Sequence, residues 1–120
     1  MQFEQLNQQA YEATLKRWTW EADVNDGFPH EVERKLRWID ELLSNGKGDA
    51  NNQSLAYGVF TEGAEVPVAV CELVISRKTV SERWLKLLSV MLSPEVEAKV
   101  EAGDVDAIQT AVMAYRAAVS

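Results

Sequence analysis

A carboxylate lies inside an apolar stretch of the chain, at a position that a general base facing a substrate groove could occupy. Glu72 falls within "PVAVCELVIS", surrounded by Val, Leu and Ile. A carboxylate held in such a groove can accept a proton from a bound substrate. The alternative is structural, with the carboxylate reaching the sheet edge or a basic partner such as Arg77 or Lys86. Both interpretations require a strand here.

The chain has one cysteine and one histidine. Cys71 belongs to the same apolar run, and we interpret it as a buried structural thiol, because burial in apolar surroundings makes a thiol unreactive. A single cysteine allows no disulfide within the chain, which favours a reducing compartment. His30 follows Pro29 at an expected helix start, and we interpret it as an exposed side chain. One histidine without a carboxylate cluster predicts no metal site.

A third chemical feature is the turn in residues 84–101, "WLKLLSVMLSPEVEAKVE", where an apolar run gives way to a helix. A helix start offers unpaired N–H groups and a positive dipole end, which is where phosphates often bind. Ser93 suits the N-cap and Pro94 the first turn. Acidic residues follow at Glu95, Glu97 and Glu101. They stabilise a helix start but repel phosphate, so we expect this turn to cap itself.

The totals predict one domain, residues 1–120, with 47% apolar residues. The net charge is −7, and Lys and Arg form no stripe that would follow a phosphate backbone, so we expect no nucleic-acid partner. No stretch has the roughly 18 apolar residues of a membrane span, and the first residues lack the pattern of a signal peptide. We therefore expect a cytoplasmic protein with no membrane partner.

Spacings of three and four residues predict two helices in the first half, after a short strand in "MQFEQLN". The first helix begins near Gln8, and the second begins near Pro29. The inner stripe of the first consists of Tyr11, Leu15, Trp18 and Ala22. The inner stripe of the second consists of Val32, Leu36, Ile39 and Leu43, with Trp38 and Leu42 beside it.

Three strands are predicted after Ser54: "LAYGVFTE", "VPVAVCELVIS" and "RWLKLLSVML". The last two are apolar on both faces, so we expect helices to cover both sides of the sheet. A helix then begins at Ser93, is interrupted at Gly103 and is recapped by Asp104. Its final stripe is Val105, Ile108, Val112, Tyr115 and Val119. The predicted fold class is α/β (α+β), ordered (β)ααβββα, with a central, mainly antiparallel sheet flanked by helices.

This order resembles the first half of the GCN5-related N-acetyltransferase fold. "AYGVFTEGAEVPVAVCELVIS" looks like the second and third strands of that family, and "LKLLSVMLSPEV" looks like its fourth strand and Pro-containing exit. The resemblance implies acyl transfer from acetyl-CoA to an amine. It implies that Glu72 accepts the proton. It also implies that the fourth strand lines the pantetheine arm through Ser89, Val90, Met91 and Leu92.

Two features of that family have no counterpart here: the basic, Gly-rich pyrophosphate loop and the later strands that complete its cofactor slot. The resemblance is thus to an incomplete or degenerate member. The strand edge at 84–92 would be left unpaired, and we expect it to meet a second copy, a C-terminal half or another partner. The alternative function is a non-enzymatic interaction or dimerisation module that pairs through this edge. Trp20, off the inner stripe, is a candidate interface anchor.

Overall fold

A computed structural model describes residues 1–25, 27–45, 52–77 and 83–119. It contains four strands and four helices in those ranges. In chain order they are β1 (Gln2–Gln5), α1 (Gln8–Val24), α2 (Pro29–Asn45), β2 (Asn52–Phe60), β3 (Ala69–Arg77), β4 (Arg83–Leu92), α3 (Pro94–Glu101) and α4 (Val105–Val119).

The four strands form one sheet in the order β1-β2-β3-β4, and each neighbouring pair is antiparallel. The predicted α+β class, the short first strand and the antiparallel sheet are confirmed. β3 begins at Ala69, later than predicted, because Pro67 has no N–H to donate to a ladder. β2 begins earlier than predicted, at Asn52. Most of the predicted loop before it, and of the connector before β4, lies outside the described residues.

β4 carries a register irregularity opposite β3. Glu72 pairs with Ser89, whereas the next residue, Leu73, pairs with Leu87. Leu88 therefore has no backbone partner in the register, which is the arrangement of a β-bulge. β4 is ten residues long and lies at one edge of the sheet, while β1, with four residues, lies at the other.

Helices cover both faces of the sheet, as the two-sided apolar strands predicted. α1 and α2 cover one face and α4 the other. β3 shows the alternation, since Val70 joins the first apolar cluster while Ala69 and Cys71 join the second. The buried members of the first cluster are Leu6, Tyr11, Trp18, Leu36, Ile39, Ala56, Phe60 and Val70. Those of the second are Val59, Ala69, Cys71 and Ala114.

α1 begins at an N-cap, Asn7, whose side-chain oxygen accepts a hydrogen bond from Ala10 N at 2.8 Å. Trp18 is fully buried and anchors the helix to the sheet, because its Nε1–H donates to the carbonyl of Pro67 at 3.1 Å. With Leu15 only partly buried, the buried face differs from the predicted stripe in two respects. It contains two polar side chains, Thr14 and Glu21, which are almost completely shielded from solvent.

Gly103 interrupts the final helical region as predicted, with φ at +81°, a value that glycine adopts without strain. Asp104 caps α4 by accepting a hydrogen bond from Ala107 N at 3.1 Å. The predicted apolar stripe of α4, however, is exposed from Val105 to Tyr115, and the side chain of its last member, Val119, lies outside the described part of the structure. The buried side chains of α4 are Ala107, Ala111 and Ala114. Its exposed large apolar side chains are Val105, Ile108, Val112, Met113 and Tyr115. The alanines let the helix approach the sheet closely.

Candidate functional site

The junction between β4 and α3 is the helix start at which a phosphate group could bind. One residue, Ser93, separates the end of the strand from the start of the helix. Its backbone N–H donates to Val68 O at 2.8 Å, and its hydroxyl accepts a hydrogen bond from Val96 N at 3.3 Å. The junction therefore caps itself, as predicted. A connection of one residue also leaves no loop at this point that could wrap a pyrophosphate.

The next free N–H of α3 is occupied by a carboxylate of the protein itself. Glu21, on α1, is only 5% exposed, and its Oε1 accepts a hydrogen bond from Glu95 N at 3.0 Å. Its Oε2 accepts a second from Arg17 Nε at 2.9 Å. An anion at a helix N-terminus is favoured by the helix dipole and by the unpaired N–H groups. The Glu21 side chain takes the place in which a ligand phosphate would gain that stabilisation.

Arg17 links this contact to the protein surface. Its guanidinium lies 3.6 Å from the Glu95 carboxylate and 4.4 Å from the centre of the Trp20 ring. Lys99 approaches the other oxygen of Glu95 at 3.4 Å. Trp20, the candidate interface anchor, is half exposed, and its ring is covered in part by a cation. The cations near the start of α3 are thus paired with carboxylates of the same chain.

The five predicted site residues lie on or beside β4, but strand alternation divides them between the two faces. Glu72 is half-buried and lies opposite Ser89 in the register. Met91 packs with the cluster under α1 and α2, whereas Val90 and Leu92 pack with the cluster under α4. Ser89 is exposed. Arg77 and Lys86, the alternative partners of Glu72, have side chains outside the described part of the structure.

A cleft of about 510 Å³ opens between the α1–α2 connection, α3 and the end of β4. Met91, Leu92 and Phe28 line this cleft, and the Phe28 side chain is largely exposed. Its charged lining residues are Glu31, Lys35, Glu97 and Glu101. Three carboxylates against one ammonium group make this cleft acidic, which is unfavourable for the phosphates of a nucleotide cofactor.

A second concave surface, which we call the α4 groove, has a volume of about 500 Å³. It lies between α4, α3 and the last residue of β4. Its lining includes Leu92, Val100, Ile108, Val112 and Tyr115. This groove adjoins the exposed apolar side chains of α4, so the outer surface of the helix is both apolar and indented.

The other reactive side chains do not assemble a catalytic cluster in the described ranges. Cys71 is fully buried, and burial raises the pKa of its thiol to about 11, as expected of a structural cysteine. His30 is almost fully exposed and lies 3.8 Å from Glu33. Within the described ranges, no group of three or more His, Cys, Asp or Glu side chains is arranged to hold a metal ion.

Sequence reasoning missed Glu21 and Arg17. A signal was present, because Glu21 follows Trp18 by three residues and Thr14 by seven, which places it on the inner side of α1. An acidic residue at such a position needs a buried partner. That partner, Glu95 N, is 74 residues away in the chain, and α-helical spacing alone does not identify it.

The chain was compared with protein-family models, curated proteins and solved structures, and nothing in any of the three groups matches it. None of the helices in the described ranges combines the length and the apolar character that crossing a bilayer requires.

Proposed function

We propose that this chain is a non-enzymatic interaction module that binds an extended polypeptide segment along β4. The observation that carries the proposal is the position of β4, a ten-residue strand at the edge of the sheet. In the described part of the chain its backbone pairs on one side, with β3. An edge strand offers a row of N–H and C=O groups that can pair with another chain, each bond contributing about 0.5–1.5 kcal/mol.

The sequence of β4 does little to block such pairing. Its two charged residues fall within its first four positions, and the remainder, "LLSVML", has neither charge nor proline. Proteins usually protect a bare edge with charged side chains, prolines or short strands. The second half of β4 is therefore open to strand addition, in which main-chain bonds supply affinity and side-chain pockets supply specificity.

The start of α3 supports an interaction module over a CoA enzyme. Glu21 occupies the N–H of Glu95, and a single residue joins β4 to α3. A CoA pyrophosphate would have to displace a buried carboxylate and approach the nearby acidic side chains of α3. Both steps cost free energy, and hydrogen bonds from the uncharged backbone N–H groups of α3 alone do not offset that cost.

The second candidate is acyl transfer from acetyl-CoA to an amine, with a fold like that of the GCN5-related N-acetyltransferases. It is supported by the cleft that reaches Met91 and Leu92. In that reaction Glu72 would accept the proton of the amine, and the backbone of Ser89 to Leu92 would contact pantetheine. Direct attack on the thioester needs positioning and proton removal rather than a protein nucleophile.

A peptide selection tests the first candidate. Extended ten-residue peptides displayed against the immobilised full chain should be enriched for strand-forming sequences that protect the amides of residues 85–92 from hydrogen exchange. Ser89→Lys adds a charge to an exposed position of β4 and should weaken the selected peptides about tenfold. Gln5→Lys makes the same change on β1, the opposite edge, and should leave binding unchanged. Protection elsewhere, or equal effects of the two variants, would reject strand addition at β4.

Thermal unfolding with acetyl-CoA separates the two candidates. A cofactor that binds the native state raises the melting temperature, because it stabilises that state by an amount that grows with the logarithm of its concentration above the dissociation constant. We expect no shift at millimolar acetyl-CoA. A dose-dependent rise, abolished by a bulky substitution such as Ala98→Trp in the cleft, would favour the acyltransferase instead. A cytoplasmic location belongs to the same proposal and is supported by the free, buried thiol of Cys71.

A further inference from the structure

We infer that the outer face of α4 is a dimerisation surface on which a second copy of this chain packs its own α4 in antiparallel orientation. The exposed residues Val105, Ile108, Val112 and Tyr115 repeat at spacings of three, four and three. This is the narrow apolar seam through which two helices pair, rather than the broader face that covers a sheet. The sheet-facing side of α4 is already occupied by its alanines. The seam residues remain 40% to 67% exposed in the described fold.

The seam is complementary to itself when the second helix runs in the opposite direction. Placing Val105 beside the partner's Tyr115 also places Ile108 beside the partner's Val112, and the two-fold axis repeats both contacts. Each of these layers joins a large side chain to a β-branched valine. In a parallel pair, Tyr115 would meet the partner's Tyr115 and Ile108 the partner's Ile108. The alternating sizes therefore favour the antiparallel arrangement, in which large and small side chains interdigitate.

The charges of α4 favour the same partner. Asp106 lies in the first turn and Arg116 in the last. Each follows a seam residue by one position, so both lie to the same side of the seam. At about 100° per residue, Arg116 is about 60° from the centre of the seam and Asp106 about 140°. In the antiparallel pair Arg116 lies about 3 Å along the helix axis from the partner's Asp106, within reach of its long side chain. Among the described residues neither makes an ion pair with another side chain. Two identical cross-pairs would form in the dimer, and this charge complementarity selects a second copy as the occupant.

The α4 groove gives the second copy a recess to fill. It is lined by Leu92 and Val100 on one side and by Ile108, Val112 and Tyr115 of the seam on the other. Arg116 also lines the groove, but the surface that the lining exposes there is apolar. Covering it with an apolar side chain therefore removes apolar surface from water. Substitutions on α4 leave β4 unchanged, so a test of the dimer with α4 variants is independent of the proposed strand addition at β4.

Sedimentation equilibrium of the full chain at physiological ionic strength tests the dimer. The natural sequence should show a monomer–dimer equilibrium, and Ile108→Glu, at an exposed position, should weaken it at least about a hundredfold by placing a carboxylate in the seam. A chain that is monomeric at every concentration up to millimolar would overturn the inference. Met113→Glu, on the exposed surface beside the seam, is the matched control and should have a much smaller effect. Circular dichroism establishes that each variant remains folded.

Charge reversal tests the antiparallel orientation. Asp106→Arg alone or Arg116→Glu alone converts both cross-pairs into repulsive contacts and should weaken association about tenfold. The double variant D106R/R116E should regain the original affinity. A mixture of the two single variants should form a heterodimer more readily than either forms a homodimer. Single reversals without effect, or a double variant no better than the singles, would overturn the antiparallel pairing even if a dimer exists.

Discussion

Replacing Glu21 by alanine removes the carboxylate that joins α1 to the start of α3. The substitution deletes the hydrogen bond from Glu95 N at 3.0 Å and the one from Arg17 Nε at 2.9 Å. Hydrogen bonds to charged groups contribute about 1.5–3 kcal/mol when buried. The Arg17 bond counts for less, because that side chain is 45% exposed and screened by solvent. We expect Glu21→Ala to lower the free energy of unfolding by about 2 kcal/mol.

Chemical denaturation of the two proteins measures this difference, and thermal unfolding gives an independent value. For a domain of 120 residues, a loss of about 2 kcal/mol corresponds to a fall in melting temperature of about 8 °C. Glu21→Gln keeps the size of the side chain and an oxygen for Glu95 N, so it should cost about half as much. Glu12→Ala is the matched control on α1. Its only contact described is a 3.3 Å exposed hydrogen bond from Gln8, and it should change stability by less than about 0.5 kcal/mol.

The same variant tests whether Glu21 occupies an anion site. Without the carboxylate, the N–H of Glu95 and the guanidinium of Arg17 remain available to an added anion. Sulfate stabilises proteins generally, so its effect has to be compared with that on the natural sequence and on Glu12→Ala. We expect an additional stabilisation of about 1 kcal/mol in Glu21→Ala when sulfate is about five times its dissociation constant. A loss of stability below about 0.5 kcal/mol, or equal sulfate effects on all three proteins, would refute this account of the α3 start.

Two further predictions concern the core. Between pH 9 and 11 the unfolded chain releases the Cys71 proton while the native state retains it, so stability should fall by about 1.4 kcal/mol per pH unit. In denaturation experiments over this pH range, the free energy of unfolding of Cys71→Ala should fall less steeply, because the Cys71 contribution is removed. Tyr11, whose pKa is also raised by burial, contributes to the fall in both proteins. Parallel slopes for the two proteins would contradict it. Gly58→Ala would put a Cβ 2.8 Å from the Phe60 ring and 3.0 Å from Pro67, costing about 1–3 kcal/mol in a denaturant titration; a loss below about 0.5 kcal/mol would show that the core yields there.

The predictable parts of this fold are those determined by residues close together in the sequence. Ser93 and Asp104 were identified as caps because a capping side chain reaches a backbone N–H three residues ahead. Gly103 was identified as an interruption because it is free to take a positive φ. The two-sided apolar character of β3 predicted helices on both faces, and the structure places Val70 and Cys71 accordingly. Each inference needed only a few adjacent residues.

The orientation of α4 was not predictable on the same basis. Two stripes with helical spacing run along it, one of larger residues from Val105 to Tyr115 and one of alanines from Ala107 to Ala114. Hydrophobicity favours the larger stripe as the packing face. The buried face is instead the one with the alanines, of which Ala114 packs in the cluster against the sheet; small side chains allow a helix to approach its neighbour closely. That choice depends on the space between layers, which is a property of the assembled fold.

The sequence predicted that the start of α3 disfavours phosphate, but it did not predict which side chain contacts the backbone there. The acidic start of α3 predicted that phosphate would be disfavoured, yet the carboxylate that lies nearest to its backbone comes from α1. Assigning Glu21 to that position requires knowing that α1 packs against the start of α3. The proposed cofactor residues, from Ser89 to Leu92, were located on the correct strand. Alternation then divides their side chains between two faces.

The unmatched residue in β4 limits what can lie against it. Leu88 interrupts the register between Ser89 and Leu87, so the alternation of outward N–H and C=O groups changes phase at the middle of the strand. If a regular partner strand pairs correctly with one half of β4, its N–H groups face N–H groups of β4 in the other half. A short regular segment can pair with one half of the edge, and a segment that follows the whole edge needs a matching irregularity. The same interruption disfavours the continuous addition of identical regular strands along this edge.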